Sequence, residues 1–200
     1  MNELGSPSVI SATSILSLFA VVVLLATAYL LSLRLLPRSS SQKIRVLFVW
    51  HLFDALIHFF FEGSYLYHCF FTYTQLPAHH SANISGQYNG GNYLGHDDRL
   101  YGAIHGNSPT AKLWQEYALA DRRWGGADLT VISLEVLTVF GAGPLALWVC
   151  DMLRRGDSRV WFWAIVLATG ELYGGKSIMQ KAVYIAPRGE IHKWSLLMVS

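Results

Sequence analysis

Apolar residues fall into four long stretches separated by polar and basic flanks, and the length of each stretch sets the first expectation. Ile15 to Leu33 is long and apolar enough to cross a bilayer as a helix. Val46 to Phe71 and Leu129 to Val149 predict a second and a third span. A fourth stretch, Trp161 to Gly175, rises only about 22 Å as a helix, short of a hydrocarbon core of about 30 Å. The pattern predicts an all-α fold, a polytopic membrane helix bundle with about four membrane helices. Within the second stretch, His51, Asp54, His58, Glu62 and Tyr65 share one stripe about 80° wide at helical spacing. An ionisable side chain near the bilayer centre costs on the order of 3 kcal/mol, so this stripe predicts a polar chamber inside the bundle.

The basic residues orient these spans. Arg34, Arg38, Lys43 and Arg45 follow the first, and Arg154, Arg155 and Arg159 follow the third, which puts both clusters on one side. The positive-inside rule then predicts a lumenal N-terminus and a long lumenal loop over 72–128. Residues 1–45 form the first helix and its cytoplasmic flank, 46–175 the main membrane domain and 176–200 a basic tail. An uncleaved first span is favoured over a secretory signal, because MNELGSPSVI carries no lysine or arginine. Inside the loop, NISGQYNGGNYLGH argues against packed structure, whereas TAKLWQEYALADRRW has helical spacing and is expected to be ordered on the membrane surface. Asn83-Ile84-Ser85 is a glycosylation sequon on the predicted lumenal side.

Composition agrees with the membrane reading. The chain is 52% hydrophobic and only 14% charged, unlike an ordinary soluble surface. A net charge of +2 with scattered arginines gives no nucleic-acid footprint. Cys69 and Cys150 are expected near opposite membrane faces, about 30 Å apart and beyond disulfide reach.

Candidate chemistry concentrates on two stretches. His58 and Glu62 lie four apart and face the same way, an arrangement suited to proton transfer. Two other readings stay open: an interhelical hydrogen bond, and zinc held by His58 with Glu62 and either Asp54 or His51. On the third stretch Glu135 and Thr138 share a face. A second buried carboxylate would complete an acid/base pair of the kind needed to add a proton at one carbon and remove one at another. Gly141, Gly143 and Pro144 are expected to allow close packing and bending. Glu171 and Tyr173 on the fourth stretch are candidates for the cavity wall or the membrane interface.

The segments HFFFEGSY (58–65), LWQEYALADRRW (113–124), DLTVISLEVLTVFGAGPLALW (128–148) and GELYGG (170–175) together resemble the emopamil-binding protein family, or EXPERA domain. The resemblance covers about residues 50–175. It implies a five-helix membrane bundle of the endoplasmic reticulum that moves a sterol double bond from Δ8 to Δ7 through a carbocation, without a redox cofactor or metal. It places His58, Glu62, Glu135 and Thr138 at the catalytic site, and the polar stripe and the fourth stretch add Asp54, Tyr65, Glu171 and Tyr173 as substrate-binding candidates. The expected partners are a sterol or related polycyclic terpenoid and the lipid bilayer, with no nucleic acid and with a homodimer admitted. The alternative is a non-catalytic sterol or lipid binder of the same family. Beyond Gly175 the quoted motifs stop: the family's fifth helix, with its Asn and Trp, is expected to be missing, and Trp194 in KWSLLMVS does not reproduce it. On this reading the tail comes from a shifted frame or an unspliced intron, and it leaves the cavity without one wall.

Overall fold

The computed structural model describes residues 11–76, 94–96 and 98–185, with side chains through 175. Helix α1 (Ala12–Leu35) starts where the Ser11 hydroxyl accepts from the Ser14 amide at 3.0 Å. It ends at Leu36, which precedes a proline and is held in extended backbone, as proline demands of its neighbour. Ser41 caps α2 (Gln42–Ile57) in the same way. The helix then widens into a π turn over His58–Glu62 and continues as α3 (Gly63–Phe71). Together these elements form one 30-residue crossing, Gln42–Phe71.

The third crossing repeats this design. Helix α5 (Leu129–Leu137) is capped by Asp128, which accepts from the amides of Thr130 and Val131. A second π turn covers Thr138–Ala142, and α6 (Gly143–Arg155) completes a 27-residue crossing that stops at left-handed Gly156. Helix α7 (Val160–Ile185) follows. Its 26 residues rise about 39 Å, so the fourth helix runs ten residues past Gly175. Among the described residues three helices, α1 and the two π-interrupted crossings, are long and apolar enough to cross a membrane. The chain is a multi-pass, mainly helical membrane protein.

The segment between the crossings is more built than its composition suggests. Strands β1 (Tyr73–Gln75) and β2 (Arg99–Tyr101) pair antiparallel. Helix α4 (Pro109–Ala120) begins at a Ser108 cap with proline in its first turn. The expected helix α4 inserts Leu113 and Trp114 into a buried cluster with Tyr65, Leu66, Cys69, Tyr101 and Val131. Apolar burial holds it there, since Trp114 stacks on Trp124 at 5.1 Å and leaves water almost entirely. The sequon at Asn83 lies outside the described residues.

A second apolar cluster closes the opposite end of the bundle, where Ala28, Leu36, Phe48, Val149, Met152 and Val160 meet. A small third cluster of Ala55, Ala146 and Leu167 joins α2, α6 and α7. Small residues let these helices approach closely, as membrane packing favours. Both cysteines are buried and free, as their expected separation required.

Candidate functional site

Each π turn starts at a residue singled out in the sequence and is closed by a glycine. The Gly63 amide donates to the carbonyl of His58, and the Gly143 amide donates to the carbonyl of Thr138. Such single wide turns inside α-helices occur often at functional sites. In the second turn Pro144 supplies part of the cause: without an N–H it cannot bond the carbonyl four residues earlier. The two turns pack against each other, and a Cβ on Gly143 would lie 3.0 Å from the Phe59 ring and 3.4 Å from the His58 Cβ. Glycine at 143 therefore sets how closely the two turns approach.

Four side chains meet across this contact. His58 is buried, and its Nδ1 lies 2.6 Å from Oε2 of Glu62. The same carboxylate oxygen accepts from the Thr138 hydroxyl at 2.5 Å. Glu135, also buried, places Oε2 at 3.4 Å from that hydroxyl. Thr138 has a single proton to donate. With that proton on Glu62, a protonated Glu135 can donate in turn to Thr138, and the result is one hydrogen-bonded line from Glu135 through Thr138 to Glu62. His58, donating from Nδ1, holds the far side of Glu62.

The remaining residues divide. Asp54 and Glu171 join the site from the other side of the imidazole, with Oδ2 of Asp54 at 3.5 Å and Oε1 of Glu171 at 4.0 Å from Nε2 of His58. His51, one turn earlier than Asp54 on α2, is buried with Nδ1 unpartnered among the described residues. Tyr65 does not reach the site. Its hydroxyl donates to the carbonyls of Gly126 and Arg123 at 3.2 and 3.3 Å, and its ring packs edge-on against Trp114 and Trp124. The helical stripe put Tyr65 on the right face but one turn too far along, where it anchors the loop segment. Tyr173 is 74% exposed on α7 and turns away from Glu171.

Gly143 and Pro144, expected from the sequence to allow close packing and bending, do so at the second π turn, whereas Gly63 carried no such expectation. A cavity of about 430 Å³ lies beside this cluster, between α1, α4 and the first π turn, with Leu16, Ala20, Phe60, Phe61 and Leu113 on its walls. His58, Glu62 and Glu135 do not line it.

Residues 109–199 match the family model described as EXPERA (EXPanded EBP superfamily). The family this chain resembles is EXPERA. The match includes α4, both halves of the third crossing and α7, and it runs on past Gly175, where the quoted motifs end. The chain is 40% identical over 65 residues to the 3-beta-hydroxysteroid-Delta(8),Delta(7)-isomerase of Cavia porcellus, covering 32% of this chain and 28% of that protein. It is 24% identical over 168 residues to the probable 3-beta-hydroxysteroid-Delta(8),Delta(7)-isomerase of Arabidopsis thaliana, covering 84% of this chain and 61% of that protein. The mouse isomerase of the same name is 33% identical over 64 residues. The aligned part of the chain thus spans less than two thirds of the length of each of these relatives. By name, all three of these relatives are isomerases, the plant one a probable isomerase.

Proposed function

We propose that the chain is a sterol Δ8–Δ7 isomerase that shifts a ring double bond by protonation and deprotonation. The observation that carries this reading is the shared oxygen of Glu62, which receives both His58 and Thr138 while Glu135 waits on the other side of the same hydroxyl. Two carboxyl groups from two different helices are thereby linked through one side chain that can pass a proton between them. An acid adds a proton at C9 of the Δ8 sterol, leaving a cation at C8, and a base removes a proton from C7 to form the Δ7 alkene. One proton enters and one leaves, so the hydrogen-bonded line is restored at the end of each turnover when the proton crosses Thr138.

The His58/Glu62 pair and Glu135 share the two transfers. Fixed negative charge beside the ring stabilises the transient cation, and the apolar surroundings withhold the water that would trap it. Asp54 and Glu171 lie on the opposite side of the His58 ring from Glu62, at 3.5 and 4.0 Å from Nε2. The reading needs neither a redox cofactor nor a metal, and it places the protein in the endoplasmic reticulum membrane with residues 72–128 in the lumen.

The test is expression of this chain in cells that lack their own Δ8–Δ7 isomerase, followed by analysis of sterol isomers. Conversion of Δ8 to Δ7 sterols is the expected result. Sterol binding by the purified protein without any change in isomer content would assign it instead to the non-catalytic binders.

A further inference from the structure

On the side of His58 away from Glu62, three acceptor atoms converge. They are Nε2 of His58, Oδ2 of Asp54 and Oε1 of Glu171, all within 4.8 Å of one another. Each is buried, and none has a hydrogen-bond partner among the described residues. The imidazole itself is more than nine-tenths buried, with a side-chain exposure of 7%. Three elements supply the ring's surroundings: α2 brings Asp54, the first π turn brings His58, and α7 brings Glu171.

The tautomer explains why this side is electron-rich. Nδ1 faces a carboxylate at 2.6 Å and carries the proton, so in the neutral ring Nε2 presents a lone pair. That lone pair looks at two carboxylate oxygens. A proton placed on Nε2 does not resolve the convergence well, because 3.5 Å to Asp54 and 4.0 Å to Glu171 exceed the usual N–H···O range of about 2.7–3.2 Å. Asp54 and Glu171 are only partly exposed, at 20% and 30%, and each turns one buried, unpartnered oxygen toward the ring, a cost that a positive charge among them offsets.

We infer that Asp54, Nε2 of His58 and Glu171 form a binding site for one divalent cation of the zinc class. One imidazole nitrogen and two carboxylate oxygens are a donor set that zinc accepts, with a fourth position left open. Bonds of about 2.0–2.2 Å in a tetrahedral arrangement put ligand atoms about 3.3–3.6 Å apart, so Asp54 is already in place and Glu171 closes by a side-chain rotation. Glu62 completes the design from behind, because a carboxylate on the second ring nitrogen fixes the tautomer that presents the lone pair to a metal. Of the zinc ligands weighed from sequence alone, Glu62 instead takes this supporting position, and Glu171 enters from a different helix. The site stands beside the Glu62–Thr138–Glu135 line and does not depend on the isomerase reading.

The test uses the full chain purified in detergent micelles and freed of metal, titrated with Co²⁺ and then Zn²⁺ in the absence of any sterol. Expected is one Co²⁺ per chain with visible absorption bands of low-coordinate geometry, displaced by one equivalent of Zn²⁺. Asp54→Asn and Glu171→Gln should each weaken Zn²⁺ binding by about 10-fold or more, and Glu62→Gln by about 10–100-fold through the tautomer. Asp151→Asn, an exposed carboxylate on α6, should leave it unchanged. Circular dichroism of every variant shows that the helices persist. The inference is overturned if the wild-type chain binds no stoichiometric Co²⁺ or Zn²⁺, or if binding is equal in Asp54→Asn, Glu171→Gln and the wild type. Because the readout is metal occupancy alone, either result leaves the sterol assay to decide the isomerase proposal separately.

Discussion

His58 and His68 lie on the same membrane crossing, both buried, and they end in opposite chemical circumstances. His68 is satisfied on both ring nitrogens, by the Thr72 hydroxyl at 2.8 Å and the Thr110 hydroxyl at 2.9 Å. His58 is satisfied on one nitrogen only, and its other nitrogen faces two carboxylates without a hydrogen bond. The difference belongs to the regions around them. At the loop end, Tyr65 finds two carbonyls, the Trp114 indole donates to Ser64, and Gln115 donates to two more carbonyls, so polar groups there serve the packing. In the middle of the bundle, polar groups are left poised instead. A protein that satisfies most of its buried polar atoms at one end and, among the described residues, leaves one atom each of His51, Asp54, His58 and Glu171 without a hydrogen bond in the middle has separated stability from chemistry along its bundle.

The largest expected effect attacks the satisfied end. Trp114→Ala removes the ring that Tyr65 and Trp124 pack against and leaves the Ser64 hydroxyl without its donor. A loss of about 3–5 kcal/mol in folding stability is expected, read as a lower melting temperature and a poor yield of folded protein. Activity per folded molecule should change little, since no group of the site is touched.

Glu62→Gln and Glu135→Gln attack the open end and should show the reverse. Turnover should fall by about 10²-fold or more while the melting temperature and sterol affinity change much less, because proton transfer acts on the transition state. Isomerase activity retained in both variants would remove the proposed roles. The histidines sharpen the same contrast at a smaller scale. His68→Gln should cost about 1–2 kcal/mol of stability through lost buried hydrogen bonds and spare specific activity, whereas His58→Gln should lose most activity at nearly unchanged stability. Equal behaviour of the two variants would dissolve the distinction.

The open end was largely legible in the sequence and the closed end was not. His58, Glu62, Glu135 and Thr138 could be found because an ionisable residue in an apolar stretch is conspicuous, and helical spacing put each pair on one face. Their union across two helices is what the structure adds, through Thr138 reaching Glu62 from the neighbouring crossing. The π turns were not foreseen, because Gly63 and Gly143 look the same in an α-helix and in a widened turn. Tyr65 was misplaced for a related reason: periodicity assigns a face but not a depth, and the Trp pair that claims its ring comes from a segment fifty residues away. The loop helix was legible from its helical spacing, whereas the burial of its Leu113 and Trp114 is decided by tertiary packing that no local pattern records.

The smallest effect is expected at the Asp121–Arg123 pair, where the loop segment turns toward α5. Burial alone would push the Asp121 carboxyl up, but the Arg123 guanidinium, with nitrogens at 2.6–3.1 Å, and the Arg123 amide hold it below the ordinary carboxylate value. A carboxyl whose folded value is depressed contributes stability that is fully present above its unfolded value of about 3.9 and lost as pH falls through the lower folded value. The pair is partly open to solvent, which screens it, so the contribution is only a few tenths of a kcal/mol. Asp121→Asn should therefore lower the melting temperature slightly at neutral pH, with the difference from wild type vanishing as the pH drops below that range. The loop end would then be seen to depend on this ion pair far less than on Trp114, in keeping with an end held by apolar burial. A large, pH-dependent loss in this variant would mean that charge, and not packing, fastens the loop segment to the bundle.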